Sequence, residues 1–209
     1  MATGNLFVPR LDITTGDPAT VNDTSSQLHY TGQLGQWGFV YPTTSYWSTF
    51  GLGGRPLAIQ YVQRSATDAT TLAVGALAFI KDYDDFVVTA DSSDSLSDAN
   101  NIYNCVGVFL GSTLAAGNRG FIAIGGVAPI LLKGSPTVAA AATGAQVAIP
   151  ESTVDLAADS VGATEIAATP DIFRRVVAKI LSAKNTPTGI GANVVKGELF
   201  PYKGGLGGF

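Results

Sequence analysis

The alternation of side chains after Pro56 is typical of a β protein. Within Leu57–Val62 the large apolar residues Leu, Ile and Tyr fall at every second position, which is the period of a strand. Two short apolar runs, Ala76–Lys81 and Phe86–Thr89, come next, and the four residues between them are of hairpin length. We therefore predict a strand followed by a β-hairpin.

Strand-like runs resume after a polar stretch at 91–101, and glycines separate them. Several short strands at this spacing favour a sandwich or a small barrel. We predict one compact all-β domain, a β-barrel or β-sandwich of short strands, over residues 56–209. Its further strands are expected at Cys105–Leu110, Gly120–Ile124, Val127–Leu132 and Ala145–Ile149.

Residues 172–181 permit two interpretations. Thr169 and Pro170 imitate a helix N-cap with proline at the first helical position, and the apolar residues that follow fit a helical stripe. The same stretch is rich in β-branched residues. In addition, its pattern of strand, loop and strand up to residue 199 resembles the pattern at 106–124, so we favour a strand at Arg175–Leu181.

Residues 1–55 differ from the rest and are expected to form an extended N-terminal arm rich in aromatic residues and glycine. Most of the rings fall within 37–50, where Gly and Pro interrupt any helical period. Because such a segment cannot build its own core, its rings must be buried against the domain itself or against a neighbouring chain, and we expect the segment to supply the attachment contacts. The alternative is a pair of ordinary strands, of which Trp37–Tyr41 would be one. The candidate interface residues are Trp37, Tyr41, Tyr46, Trp47 and Phe50.

Composition excludes several classes of protein. The chain has 209 residues, of which 46% are hydrophobic and 13% charged, and its net charge is −4. That is too apolar and too weakly charged for a disordered protein, and the low charged fraction suggests a surface that is small and neutral or covered by partners. No apolar stretch reaches the roughly 20 residues of a membrane-spanning helix, and the first residues lack the features of a signal peptide. We expect synthesis in a cytoplasm and no contact with a membrane.

Residues that carry catalysis or bind metals are scarce. The single cysteine, Cys105, lies in an apolar run and is interpreted as a small buried hydrophobe. The single histidine, His29, excludes a histidine pair for a metal. The glycines at 111–117 lack the lysine of a phosphate-binding loop, and no strand leads into those at 51–54. We therefore expect no enzymatic activity, no cofactor and no metal site.

Charged residues are spread unevenly. Six aspartates between Asp82 and Asp98 could bind a hard cation such as calcium, but their spacing is not that of an EF-hand, and a solvated acidic face is preferred. Six basic residues lie between Arg174 and Lys203, which is a weak nucleic-acid footprint in a chain of pI about 4.8. We expect contacts with other copies or another protein, and no direct binding of nucleic acid.

Four motifs between Val74 and Ile149 resemble the head decoration, or cement, proteins of tailed bacteriophages. These motifs are structural, and they cover neither the aromatic residues of the arm nor the glycine-rich end. They are Val-Gly-Val-Phe-Leu-Gly at 106–111, Ala-Gly-Asn-Arg-Gly at 116–120, Phe-Ile-Ala-Ile-Gly-Gly-Val-Ala at 121–128 and Thr-Gly-Ala-Gln-Val at 143–147.

The resemblance implies a compact β domain in a structural virion protein that is made in the host cytoplasm. It implies binding to the outer surface of the assembled capsid as a homotrimer that bridges subunits of the major capsid protein. Avidity over many copies can replace one strong contact in such a lattice. The alternative is a carbohydrate-binding or adhesin-like β module, in which Trp37, Tyr41, Tyr46 and Trp47 would stack on sugars.

Overall fold

A computed structural model describes residues 18–24, 34–40, 55–91, 105–132, 146–148, 165–166, 176–181 and 194–199. This part of the chain is all-β, which confirms the predicted fold class. It contains no helix, and hence none long and apolar enough to cross a membrane. The strands are β1 (Trp37–Val40), β2 (Leu57–Arg64), β3 (Leu77–Asp82), β4 (Val87–Thr89), β5 (Cys105–Phe109), β6 (Arg119–Leu131), β7 (Gln146–Ala148), β8 (Glu165–Ile166), β9 (Val176–Ile180) and β10 (Val194–Leu199).

Five of these strands close into a mixed β-barrel in the order β2, β4, β3, β5 and β6, with β6 returning to β2. The pairing of β2 with β4 is parallel, and the other four pairings are antiparallel. Further strands extend the sheet on both sides of the barrel. Strand β1 pairs with β2, and β10, β9, β7 and β8 follow one another outward from β6.

Two apolar clusters explain why the barrel strands are apolar almost throughout. One cluster takes side chains from all five barrel strands, and we assign it to the barrel interior. The other takes side chains from the opposite faces of β2, β3, β5 and β6 and packs them with β9 and β10. A strand buried on both faces has no reason to alternate strictly. The interior residues on the strands are Val62, Ala78, Ile80, Val88, Val106, Phe109 and Ile122.

Most of the predicted strands are confirmed. The predicted hairpin is β3 and β4, which pair antiparallel. The strand interpretation of the stretch at 172–181 is confirmed over Val176–Ile180, while Thr169 and Pro170 lie outside the described residues. Trp37 begins an ordinary strand, which was the alternative to an irregular arm at this position.

One prediction is corrected, since the two strands expected at Gly120–Ile124 and Val127–Leu132 are a single strand, Arg119–Leu131. The register of its pairing with β2 shifts beside the central glycines, but the strand continues through them. Gly126 has a φ of +90°, and a Cβ there would lie 2.5 Å from the carbonyl oxygen of Pro56. Only glycine fits a backbone so oriented and so close to its neighbour.

Candidate interaction surface

Strand β1 presents two large aromatic side chains to solvent. Trp37 and Phe39 are two residues apart, so they point to the same face of the strand. Their exposed fractions are 37% and 63%, and their rings meet edge to face with centroids 5.9 Å apart. Large exposed rings that touch one another form the kind of surface at which proteins bind partners.

The two residues that precede β1 are fixed to the barrel by several hydrogen bonds. The backbone N–H of Gly35 donates to the carbonyl of Tyr61, and the N–H of Tyr61 donates to the carbonyl of Gln36, both at 2.8 Å. The amide of Gln60 also donates to the carbonyl of Gly35, at 2.9 Å. The ring of Phe86 covers Gly35 so closely that a Cβ there would lie 2.3 Å from it. The two exposed rings therefore stand on a well-anchored strand.

The structure describes only one of the five residues proposed from the sequence as interface residues. Trp37 lies on β1, while Tyr41, Tyr46, Trp47 and Phe50 lie outside the described residues. The residue that sequence reasoning did not choose as an anchor is Phe39, the more exposed of the two rings. Its spacing of two from Trp37 was the available signal, because two residues so spaced on a strand share a face.

A second stretch of the predicted arm, residues 18–24, is also part of the folded domain. Asp23 is 1% exposed, and its carboxylate accepts a hydrogen bond of 3.0 Å from the hydroxyl of Tyr61. Its backbone exchanges two hydrogen bonds of 2.8 Å with Arg119 at the start of β6. Ala19 belongs to the apolar cluster outside the barrel. This stretch therefore completes the domain.

An ion pair is buried where β2 ends. The Nε of Arg64 lies 2.9 Å from an Oδ of Asp68, and both side chains are almost completely buried. The remaining guanidinium nitrogens donate to the carbonyls of Leu114 and Thr70, at 2.7 and 2.6 Å. The carboxylate also accepts the backbone N–H of Ala90, at 2.9 Å. Each of these buried groups therefore has a partner. The network joins β2 to three loops: the one that follows β2, the one that follows β4 and the one that precedes β6.

The electrostatics of Asp68 are those of a structural residue. Burial on its own raises the pKa of this carboxyl, but the hydrogen bonds from Arg64, Thr70 and Ala90 more than offset it and lower the pKa to about 2. A carboxylate that is ionised at all ordinary pH values and fully paired neither donates nor accepts protons in a reaction. We assign this network to stability and not to chemistry.

Other groups with reactive side chains are placed as follows. The thiol of Cys105 is buried, and desolvation raises its pKa to about 12, which fits the interpretation as a small hydrophobe. Asp82, the last residue of β3, is exposed, and so are Asp84 and Asp85 in the turn between β3 and β4. In the described part of the chain, no group of three or more His, Cys, Asp or Glu residues could hold a metal ion. Outside that part lie His29, Asp94, Asp98, Arg174, Arg175, Lys184 and Lys203.

No protein-family model matches the sequence, and no curated protein matches it.

Proposed function

We propose that this protein is a structural component of a tailed-bacteriophage virion. It binds the outer surface of the assembled capsid and stabilises the shell by bridging subunits of the major capsid protein. The observation that carries the proposal is the pair of exposed rings, Trp37 and Phe39, on a strand that is hydrogen-bonded to the barrel. Aromatic side chains on a rigid support are favoured anchors of protein interfaces, because little conformational entropy is lost when they bind.

The position of the decoration-protein motifs in the fold supports the proposal. The motif at 106–111 includes most of β5, the motif at 121–128 lies within β6, and the motif at 143–147 extends into β7. The resemblance therefore concerns the strands that build the barrel and extend its sheet, which are the parts that a shared fold would preserve. Homotrimer formation and a virion location belong to the same proposal.

The carbohydrate-binding alternative is less well supported by the geometry of the rings. Trp37 and Phe39 meet at an interplanar angle of 82°, so they do not form one flat platform. Sugar stacking uses the face of an aromatic ring, and a perpendicular neighbour interrupts such a face. An uneven protein surface with pockets can accept rings in this arrangement.

Cosedimentation with undecorated capsids tests the proposal. We expect the protein to pellet saturably with particles assembled from the major capsid protein of the same genome, and to bind no sugar on a glycan array. Trp37→Ala should weaken capsid binding at least about tenfold, whereas Tyr83→Ala, at another exposed ring, should not. Glycan binding without capsid binding would overturn the proposal in favour of the alternative.

A further inference from the structure

Phe86, at the end of the turn between β3 and β4, has an unusual backbone conformation. Its φ is +51°, and every other residue with a positive φ in the described part of the chain is a glycine. A bulky side chain is sterically disfavoured in this left-handed region, whereas glycine adopts it freely. Strain of this kind persists only where surrounding contacts hold it, and it is concentrated at binding and switch sites. The contacts of the Phe86 ring therefore decide why a phenylalanine stands at this position.

The turn that contains Phe86 is held without the help of its ring. The side chain of Asp82 accepts the backbone N–H groups of Asp84 and Asp85, at 2.9 and 3.3 Å. The carbonyl of Phe86 accepts the N–H of Gln63, at 3.1 Å, where β4 begins its parallel pairing with β2. These bonds use the backbone and one aspartate, so a glycine at position 86 would keep all of them.

The ring of Phe86 contacts the turn from which β1 begins. Its far end, formed by Cζ and both Cε atoms, supplies the three atoms nearest to the place that a Cβ of Gly35 would take. Gly35 has a φ of +82°, so two left-handed residues from separate parts of the chain pack against each other. A residue with a side chain at position 35 would leave no room for the ring. The ring and the glycine are therefore complementary in shape.

Gly35 lies two residues before Trp37 and determines how the chain enters β1. Leu34 on one side of it and Val40 at the end of β1 both pack against the apolar cluster outside the barrel. Between these two packed positions, the glycine is the residue with the greatest conformational freedom. The ring of Phe86 lies against that glycine and limits this freedom.

We propose that Phe86 is a positioning residue for the interaction surface on β1. Its ring holds Gly35 in one conformation and so fixes the direction in which Trp37 and Phe39 are presented before any partner is bound. Side chains that are already in place lose less conformational entropy when they bind. This inference rests on the proposed function, because it concerns the rings that bind the capsid. Phe86 acts through them and needs no contact with the capsid itself.

Hydrogen exchange of the free protein tests the positioning role without capsids. In Phe86→Gly, which removes the ring and relieves the backbone strain, we expect the amides at 36–40 to exchange at least about tenfold faster than in the wild type. The amides of β5 should exchange at the wild-type rate. Tyr83→Gly removes an exposed ring from the same turn and should change neither set.

Two results of this measurement would overturn the proposal. One is an unchanged exchange rate at 36–40 in Phe86→Gly. The other is an equal rise at 36–40 and in β5, or a variant that does not fold, since the ring would then support the whole domain and not the presentation of β1.

Binding to undecorated capsids tests the link between Phe86 and function. We expect Phe86→Gly to bind at least about fivefold more weakly than the wild type, because the two rings must then be ordered on binding. In a chain that already carries Trp37→Ala, the same substitution should weaken binding by a smaller factor, since it acts through the rings. Equal binding by Phe86→Gly and the wild type, or an equal factor in both backgrounds, would overturn the positioning role. A wild-type chain that binds no capsid would refute the proposed function, and the exchange rates at 36–40 would still decide whether Phe86 positions β1.

Discussion

Replacing Asp68 with alanine is expected to lower the free energy of unfolding by about 3–5 kcal/mol, because it leaves a buried charge without its partner. The Arg64 guanidinium would stay almost fully buried beside the space left by the missing carboxylate, and the N–H of Ala90 would lose its acceptor. Chemical denaturation measures the loss. Asp85→Ala, at an exposed aspartate in the hairpin turn, is the control and should change stability by less than about 0.5 kcal/mol. Equal losses in the two variants would refute the structural role of the ion pair.

The same carboxylate gives stability a defined dependence on pH. The folded pKa of Asp68 is about 2, below the ordinary value of 3.8, so its contribution is complete above the unfolded pKa and is lost as the pH falls through the folded one. The shift corresponds to about 2 kcal/mol. The denaturant concentration at the midpoint of unfolding, measured between pH 5 and pH 2, should therefore fall more steeply with decreasing pH in the wild type than in Asp68→Asn. Parallel slopes would contradict this.

Deleting residues 1–54 is expected to destabilise the domain by about 4 kcal/mol or more and to lower its melting temperature by roughly 10 °C or more. The deletion removes β1 from β2, takes Ala19 from an apolar cluster and removes the carboxylate that accepts the Tyr61 hydroxyl. Thermal unfolding measures the effect. Deletion of residues 1–17 keeps all of these contacts and is the matched control.

That expected result differs from the one that the sequence favoured. An arm that only reaches a partner could be removed without loss of folding, and a truncated protein with an unchanged melting temperature would restore that interpretation. The contacts of Asp23 and Gly35 lead to the opposite expectation, because they place both described stretches of residues 1–55 among the elements of the domain.

Local patterns were sufficient to predict the fold class and most strands. Short β-branched runs, glycines between them and a connection of hairpin length are local signals, and each predicted strand in the described part has a counterpart. The resemblance between 106–124 and 176–199 was also visible, since both stretches are antiparallel pairs with matching registers. A local pattern cannot show, however, that one strand pairs with β2 along its first half and with β10 along its second half, and so two strands, divided at the glycines, were predicted in place of β6.

The interaction surface was predicted only in part, for a physical reason. A high density of aromatic residues in the sequence indicates that their rings must be buried somewhere. The exposure of each ring, however, depends on which strand lies beside it in space. Phe39 is exposed and Tyr61 is buried, although both are aromatic residues on neighbouring paired strands. The contacts that fix them join residues 25 or more positions apart, such as Gln60 with Gly35 and Tyr61 with Asp23. Such pairings follow from the topology and not from the local sequence.

Electron cryomicroscopy of capsids incubated with this protein tests the central claim most directly. The particles would be undecorated capsids assembled from the major capsid protein of the same genome, reconstructed with and without the added chain. We expect new density on the outer surface of the shell, in contact with more than one capsid subunit and of a size that holds the five-stranded barrel. Unchanged maps, or density confined to the inner surface, would contradict the claim that this protein decorates a capsid.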